Sequence, residues 1–230
     1  MNVVVLLGAP GAGKGTQAPL LSERLGIPVV ATGDLFRAAV RDGTTLGMDA
    51  RRYMDAGQLV PDEIVVRLLL ERLSRPDAGH GVILDGFPRT AVQAKALDDA
   101  LADRTEKVTA AVLIDIHGDE LIRRMSGRWI CRAAGHPYHK VFSPPLVDGI
   151  CDLDGSELYQ RVDDQPDTIR LRMAQQLSAL ADVIEHYRAS GVLHTVDGLL
   201  SINEVEEAID AELAAAGIRR AGTQSERAAG

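Results

Sequence analysis

The chain has 230 residues, is 46% apolar but only 3% aromatic, and carries a formal charge of −8. That length holds one large α/β domain with insertions or two small domains, its core must be mainly aliphatic, and its acid excess argues against general binding to nucleic acid or an anionic membrane. Cys131 and Cys151 are too few for a disulfide framework, no stretch is long and apolar enough to span a bilayer, and no basic leader precedes the first apolar run, so the expected location is the reducing cytoplasm.

Apolar, β-branched runs alternate with helical patterns along the chain. Val3–Leu7 is predicted as the first strand, followed by a helix over Thr16–Leu25 and a short strand at Pro28–Val30. Helices are predicted at Gly33–Arg41 and Asp62–Leu73, then a strand at Val82–Leu84 that ends in Asp85, and a helix at Thr90–Ala102. A fourth strand is predicted at Ala110–Ile116 and a helix at Asp119–Met125. The last elements are a helix at Pro166–Ala189, a strand at Val192–Val196 and a helix at Ile202–Ala216. Continuous apolar strands interleaved with helices predict an α/β fold in which a parallel five-stranded sheet is covered on both faces. Ser201 and Glu204 form a capping box, Pro166 suits a first helical turn, and Thr32 or Asp34 is expected to cap the helix beside it.

Residues 127–164 interrupt this alternation. Gly127, Gly135, Pro137, Pro144, Pro145, Gly149 and Gly155 are spaced by Tyr138, Phe142 and Tyr159, which predicts a small β-rich excursion. Loops this long in a compact domain carry function as a rule. Residues 217–230 are small and polar and are expected to be disordered.

The chemistry starts at Gly8-Ala9-Pro10-Gly11-Ala12-Gly13-Lys14-Gly15-Thr16, directly behind the first strand. Glycines let the backbone wrap and aim several N–H groups inward, the helix that opens at the turn adds positive potential, and Lys14 adds a full charge. Such a loop cradles the phosphates of a nucleoside triphosphate. Gly15 stands where this loop usually carries the Ser or Thr that ligates magnesium, so Mg²⁺ is expected on the phosphates and on water, with the hydroxyl moved to Thr16. Asp85-Gly86-Phe87-Pro88-Arg89 follows the third strand, at the sheet edge where α/β proteins bind ligands, so Asp85 is a candidate to hold metal-bound water and Arg89 to clamp an anion. Arg37 near a helix start opposes the helix dipole unless an anion sits there. Arg123, Arg124 and Arg128 enter the excursion and Arg161, Arg170 and Arg172 leave it; Arg123 and Arg170 are expected to be solvated, and the others are candidates to surround a phosphoryl group in transfer.

The motifs GAPGAGKGTQ (8–17), ATGDLFR (31–37), GQLVPDE (57–63), LDGFPRT (84–90), Gln93, GRWIC (127–131), YHKVFSPP (138–145) and ELYQRVDDQPDT (157–168) together resemble the bacterial long-lid adenylate kinases, nucleoside monophosphate kinases of the P-loop NTPase type. The similarity covers residues 1–213. It implies the reaction Mg·ATP + AMP ⇌ 2 ADP, with ATP, AMP and ADP as partners and neither nucleic acid nor membrane among them, in a monomer. It implies that Gly11, Ala12, Gly13, Lys14, Gly15, Thr16, Arg124, Arg128 and Leu200 hold ATP. It implies that Thr32, Arg37, Leu59, Val60, Gly86, Arg89, Gln93, Arg161 and Arg172 hold AMP. Lys14, Arg89, Arg124, Arg128, Arg161 and Arg172 would be catalytic. Residues 1–30, 61–126 and 165–216 would form the core, 31–60 a helical AMP-binding flap, and 127–164 a lid over ATP.

One branch of that family carries zinc in the lid on C-x2-C-x16-C-x2-[CD], and another replaces it with a polar cluster. Cys131, Cys151 and Asp154 fill three of the four positions and Ala134, which cannot ligate, the fourth; His136 or His139 could supply a nitrogen. With one ligand missing, no metal is expected there, and the two thiols are read as packing the lid, with His139 in its turn. Leu199-Leu200 also departs from relatives that carry Lys or a polar residue beside the ATP adenine. Three other readings compete with it: a related kinase with another acceptor, against which Thr32 and Gln93 speak; a GTPase-like switch, for which the Asn-Lys-x-Asp base reader is missing; and a non-catalytic lid protein held together by zinc, against which Lys14, Arg89 and Arg161 speak.

Overall fold

β1 (Asn2–Leu7), buried at five of its six positions, is the central strand of a five-stranded parallel sheet. A computed structural model of the chain describes residues 1–116, 119–161, 164 and 166–218, the side chains of Asp119, Pro166 and Arg172 excepted. The expected disorder of the C-terminal tail concerns mainly residues 219–230, which lie outside the described part.

The other sheet strands are β2 (Val29–Ala31), β3 (Gly81–Asp85), β4 (Val108–Asp115) and β8 (Leu193–Asp197), in the order β2-β3-β1-β4-β8. In β1 the side chains alternate between two apolar layers, as a strand's period of two requires. Val3, Val5 and Leu7 pack with Phe36, Leu69, Leu97 and Tyr187, whereas Val4 and Leu6 pack with Leu21, Leu121, Ile209 and Leu213. The first layer is supplied by α2 (Thr32–Arg41), α4 (Asp62–Leu73), α5 (Ala91–Ala102) and α7 (Pro166–Ala189). The second is supplied by α1 (Lys14–Leu25), α6 (Asp119–Ser126) and α8 (Ile202–Ala215). The continuous hydrophobicity of the strands thus has its cause in burial on both faces.

Between α2 and α4 lies α3 (Thr45–Asp55), a helix absent from the periodic reading. Gly47 masked it: helical propensity counts against glycine, yet a Cβ here would stand 2.2 Å from the Ala39 carbonyl of α2. Close approach of the two helices demands the residue that weakens the pattern. The start of α2 also differs from expectation. Neither Thr32 nor Asp34 caps it; Ala31 holds the cap position with no side-chain bond, Thr32 donates to the Gly86 carbonyl at 2.8 Å, and Asp34 bonds Arg37. The Ser201–Glu204 capping box is present.

The excursion is a three-stranded antiparallel sheet of β5 (Arg128–Cys131), β6 (Pro137–His139) and β7 (Leu158–Tyr159), in the order β6-β5-β7. Its own small core is Cys131, Tyr138, Cys151 and Leu158, with Trp129 against it. No described helix is long and apolar enough to cross a membrane.

Candidate active site

The carboxyl ends of β1, β2 and β3 open into a cavity of about 690 Å³, roofed by β5, β6 and the segment around Phe142 and closed at one end by residues 198–205. At its floor the chain turns sharply out of β1. Gly8 has φ +146°, and a Cβ there would lie 2.8 Å from the Ile114 carbonyl oxygen, so only glycine leaves β1 in this direction. The loop closes through Ala12 N–H to the Ala9 carbonyl at 3.1 Å and Thr16 N–H to the Gly13 carbonyl at 2.9 Å. The Lys14 ammonium reaches back over the loop to the carbonyls of Gly8 at 2.7 Å and Ala9 at 3.0 Å. An anion in the loop would offer that ammonium a full charge where the Gly8 and Ala9 carbonyls offer neutral dipoles.

Arg89 is positioned by a chain of bonds that starts in β3. Gly86 has φ +75°, and a Cβ would stand 2.9 Å from the Arg89 guanidinium. The bare backbone lets Arg89 fold down, its Nε donating to the Gly86 carbonyl at 2.8 Å and its backbone N–H to Gln93 Oε1 at 2.8 Å. Gln93 is 1% exposed and passes its own Nε2 to Asp62 at 2.8 Å. Thr90 caps α5 by accepting from Gln93 N–H at 3.1 Å. Thr32, Gly86, Arg89 and Gln93 therefore form one bonded unit.

The arginines converge on the cavity in carboxylate-bound form. Asp34 accepts from Arg37 and lies 3.7 Å from Arg161, which comes from the far side of the excursion. Arg128 donates to Asp164, whose side chain is completely buried. Arg124 donates to Glu120 at 2.9 Å; burial alone would raise the Glu120 pKa, but bonds from Arg124 and Arg123 hold it below the usual range. The Phe142 ring lies 4.9 Å from the Arg123 and 5.3 Å from the Arg124 guanidinium carbon. In a protein of charge −8, local carboxylates shield a cluster of cations that would otherwise repel one another.

Gly11, Ala12, Gly13, Lys14, Gly15, Thr16, Thr32, Arg37, Leu59, Val60, Asp85, Gly86, Arg89, Gln93, Arg124, Arg128, Arg161 and Leu200 all line this one cavity. The Arg172 side chain lies outside the described part. Arg170 is exposed, as expected, and pairs with Asp167; Arg123 is exposed but covers Phe142. Gln17, Asp34, Phe142 and Gln176 line the cavity too, although the sequence reading gave none of them a role in the site: Asp34 stood there as a helix cap, Phe142 and Gln17 only as members of motifs. Asp34 could have been found as the carboxylate one turn before Arg37; the roles of Gln17 and Gln176 were out of reach because their partners Ile202 and Arg89 lie far off in sequence.

In the excursion, the donor atoms of Cys131, His136, Cys151 and Asp154 lie within 4.8 Å of one another. His136 Nδ1 is 3.3 Å from both Cys151 Sγ and Asp154 Oδ2, and Cys131 Sγ is 3.0 Å from Asp154. Burial and Asp154 raise the Cys131 pKa, but the Ser156 hydroxyl, the Ala134 N–H and Cys151 outweigh them and bring it down to about 7. Asp154 is held well below the usual carboxylate range, first by its bond to Cys131. Two sulfurs, an imidazole nitrogen and a carboxylate oxygen make a donor set that suits Zn²⁺. His136 thus brings a donor to the quartet that Ala134 cannot complete. His139 stands in the turn, where its Nδ1 accepts from Val141 and Phe142 N–H.

The family profile described as Adenylate kinase matches residues 6–192. The chain belongs to the adenylate kinase family. It is 48% identical over 213 residues to an adenylate kinase of Lysinibacillus sphaericus (strain C3-41), covering 93% of this chain and 98% of that one. It is 48% identical over 206 residues to an adenylate kinase of Enterococcus faecalis (strain ATCC 700802 / V583), covering 89% and 95%. With the adenylate kinase of Staphylococcus epidermidis (strain ATCC 12228 / FDA PCI 1200) the identity is 46% over 205 residues, covering 89% and 95%. As an adenylate kinase the protein is a phosphotransferase that moves a phosphoryl group between ATP, taken with Mg²⁺, and AMP, and so balances the adenine nucleotides.

Proposed function

We propose that the two nucleotides meet head-on in this cavity, with the triphosphate on the Gly8–Thr16 loop and AMP against the Thr32–Gly86–Arg89–Gln93 unit. The observation that carries this reading is the approach of Arg37 and Arg161, which both line the cavity, to one carboxylate, Asp34. A phosphate would take the place of that carboxylate. Lys14 would hold the β- and γ-phosphates of ATP, and Asp85 would hold water of the Mg²⁺ that ATP brings. Arg89, Arg124, Arg128, Arg161 and Arg172 would spread over the charge of the transferring group.

Little covalent chemistry falls to the protein here. The acceptor is an already anionic phosphate, so no side chain need act as a strong base. What the enzyme supplies is alignment of two polyanions, fixed positive charge, and exclusion of the water that would otherwise hydrolyse ATP. Residues 31–60 and 127–164 would close over the cavity as flap and lid on the rest of the fold, and their opening would limit turnover.

The lid residues Cys131, His136, Cys151 and Asp154 would hold a structural Zn²⁺, which when bound cross-links the β5–β6 hairpin to the 151–154 turn. A cytoplasmic monomer is the state in which we expect the enzyme to act. The test of the two-nucleotide site is calorimetry with two adenosines joined through a five-phosphate chain. One molecule should bind per protein and displace both ATP and AMP; displacement of only one would refute the arrangement.

A further inference from the structure

Gln17 sits one helical turn beyond Lys14 in α1 and is 2% exposed. Its Nε2 donates to the Ile202 carbonyl at 2.8 Å, a contact across 185 residues. Its Oε1 is buried with no partner among the described residues. An amide left half-satisfied in the interior costs free energy that an apolar side chain of equal size avoids. What glutamine supplies in exchange is the bond to Ile202. Reversing the amide would set two carbonyl oxygens against each other, so the bond also fixes which end faces α8.

Ile202 is the first residue of α8, and the turn before it, with Gly198, Leu200 and Ser201, walls one end of the cavity. That turn is shaped by local bonds, Leu199 N–H to Asp197 at 2.8 Å and the capping box. Gly198 N–H to the Asp115 carbonyl at 2.9 Å ties it to the end of β4. None of these reaches the phosphate loop. Arg24 joins α1 to α8 through Glu206 and Asp210, but two turns further from Lys14. Among the described residues, the Gln17 bond is the side-chain hydrogen bond that ties the first turn of α1, next to Lys14, to α8.

On the reading that the donor base lies on the 198–202 turn, we propose that Gln17 is a positioning residue for the donor nucleotide. It holds the base-bearing turn at the distance from Lys14 that ATP spans, and so lets base contacts help to place the γ-phosphate. It acts through Ile202.

Gln17→Leu and Gln17→Met keep the volume, remove the bond and relieve the unpartnered Oε1. KM for ATP should rise about tenfold, the worth of one net hydrogen bond, with KM for AMP unchanged. Binding of inorganic tripolyphosphate, which has phosphates but no base, should also be unchanged, and melting without nucleotide should show an intact fold. A KM for ATP within twofold of the parent overturns the proposal. So does parallel weakening of tripolyphosphate, or loss of the fold in both variants, since either makes Gln17 a plain support of the loop. Photolabelling of the parent protein with 8-azido-ATP separates the two levels of the claim. Label on the 198–205 peptide with an unchanged KM in the variants overturns the role of Gln17 alone; label elsewhere overturns the base site and the role together.

Discussion

Arg128 at the root of the excursion donates from Nε to Asp164 at 2.8 Å, and the Asp164 side chain has no exposed surface. The pair joins the first strand of the excursion to the start of the long helix that follows it, so its two ends are held at one point. Removing one partner of a buried ion pair costs more than the pair contributes, because the other charge is left unpaired. Arg128 keeps part of its surface in water, which reduces that cost. Asp164→Ala should therefore destabilise the protein by about 2–3 kcal/mol, read as a lower melting temperature without nucleotide. An unchanged melting temperature would show the pair to be incidental.

The quartet of Cys131, His136, Cys151 and Asp154 makes a prediction about metal. Protein purified without chelator should carry about one zinc per chain, and treatment with a strong chelator should lower the melting temperature. His136→Ala should lose the metal. Absence of zinc from metal-replete preparations would mean that the four donors are satisfied by the bonds they make to one another.

His139 gives a pH dependence whose sign follows from its surroundings. Burial lowers its pKa, against the opposing pull of the Arg123 and Arg124 carbonyls, and its Nδ1 accepts from Val141 N–H at 3.0 Å and Phe142 N–H at 3.1 Å. A proton on Nδ1 would break both bonds. The unfolded chain takes up that proton near pH 6.5, while the folded chain resists to lower pH. The stabilisation is thus complete above about pH 6.5 and is lost as the pH falls below it towards the folded value. Between pH 7.5 and 5.5 the melting temperature should fall more in the parent than in His139→Gln. Equal falls would contradict the assignment.

Tyr187 is fully buried with its hydroxyl unpartnered among the described residues, and burial together with Asp98 raises its pKa. Tyr187→Phe removes a polar atom that has no bond among the described residues and leaves the ring packed with Leu69 and Leu97. The variant should be as stable as the parent or up to about 1 kcal/mol more so. A loss above that size would reveal a partner for the hydroxyl.

Much of the fold was legible because its signals are local. Val3–Leu7, Asp62–Leu73 and Pro166–Ala189 announce themselves by unbroken burial or helical period, and Ser201 and Glu204 by a pair three residues apart. α3 was not legible by period, because Gly47 serves packing against Ala39 at the expense of helix propensity. In the site, motifs pointed to Lys14, Arg37 and Arg89, since each belongs to a short run, whereas Gln93, alone inside α5, was named only through the family resemblance. The shielding carboxylates were harder to see: Asp34 works through Arg161, 127 residues away, and Asp164 through Arg128, 36 away. In the excursion the sequence left the fourth donor open between His136 and His139, and the β5–β6 hairpin decides it by carrying His136 to Cys151.

If fixed cations in this cavity carry the phosphoryl group from ATP to AMP, the rate of ADP formation from ATP and AMP in Lys14→Met and Arg89→Ala, with melting curves to confirm the fold, shows it most directly. Each variant should lose a factor of about 10²–10⁴ in kcat with its melting temperature within a few degrees of the parent. A kcat near that of the parent in either one would contradict the role given to that residue, and in both the whole account.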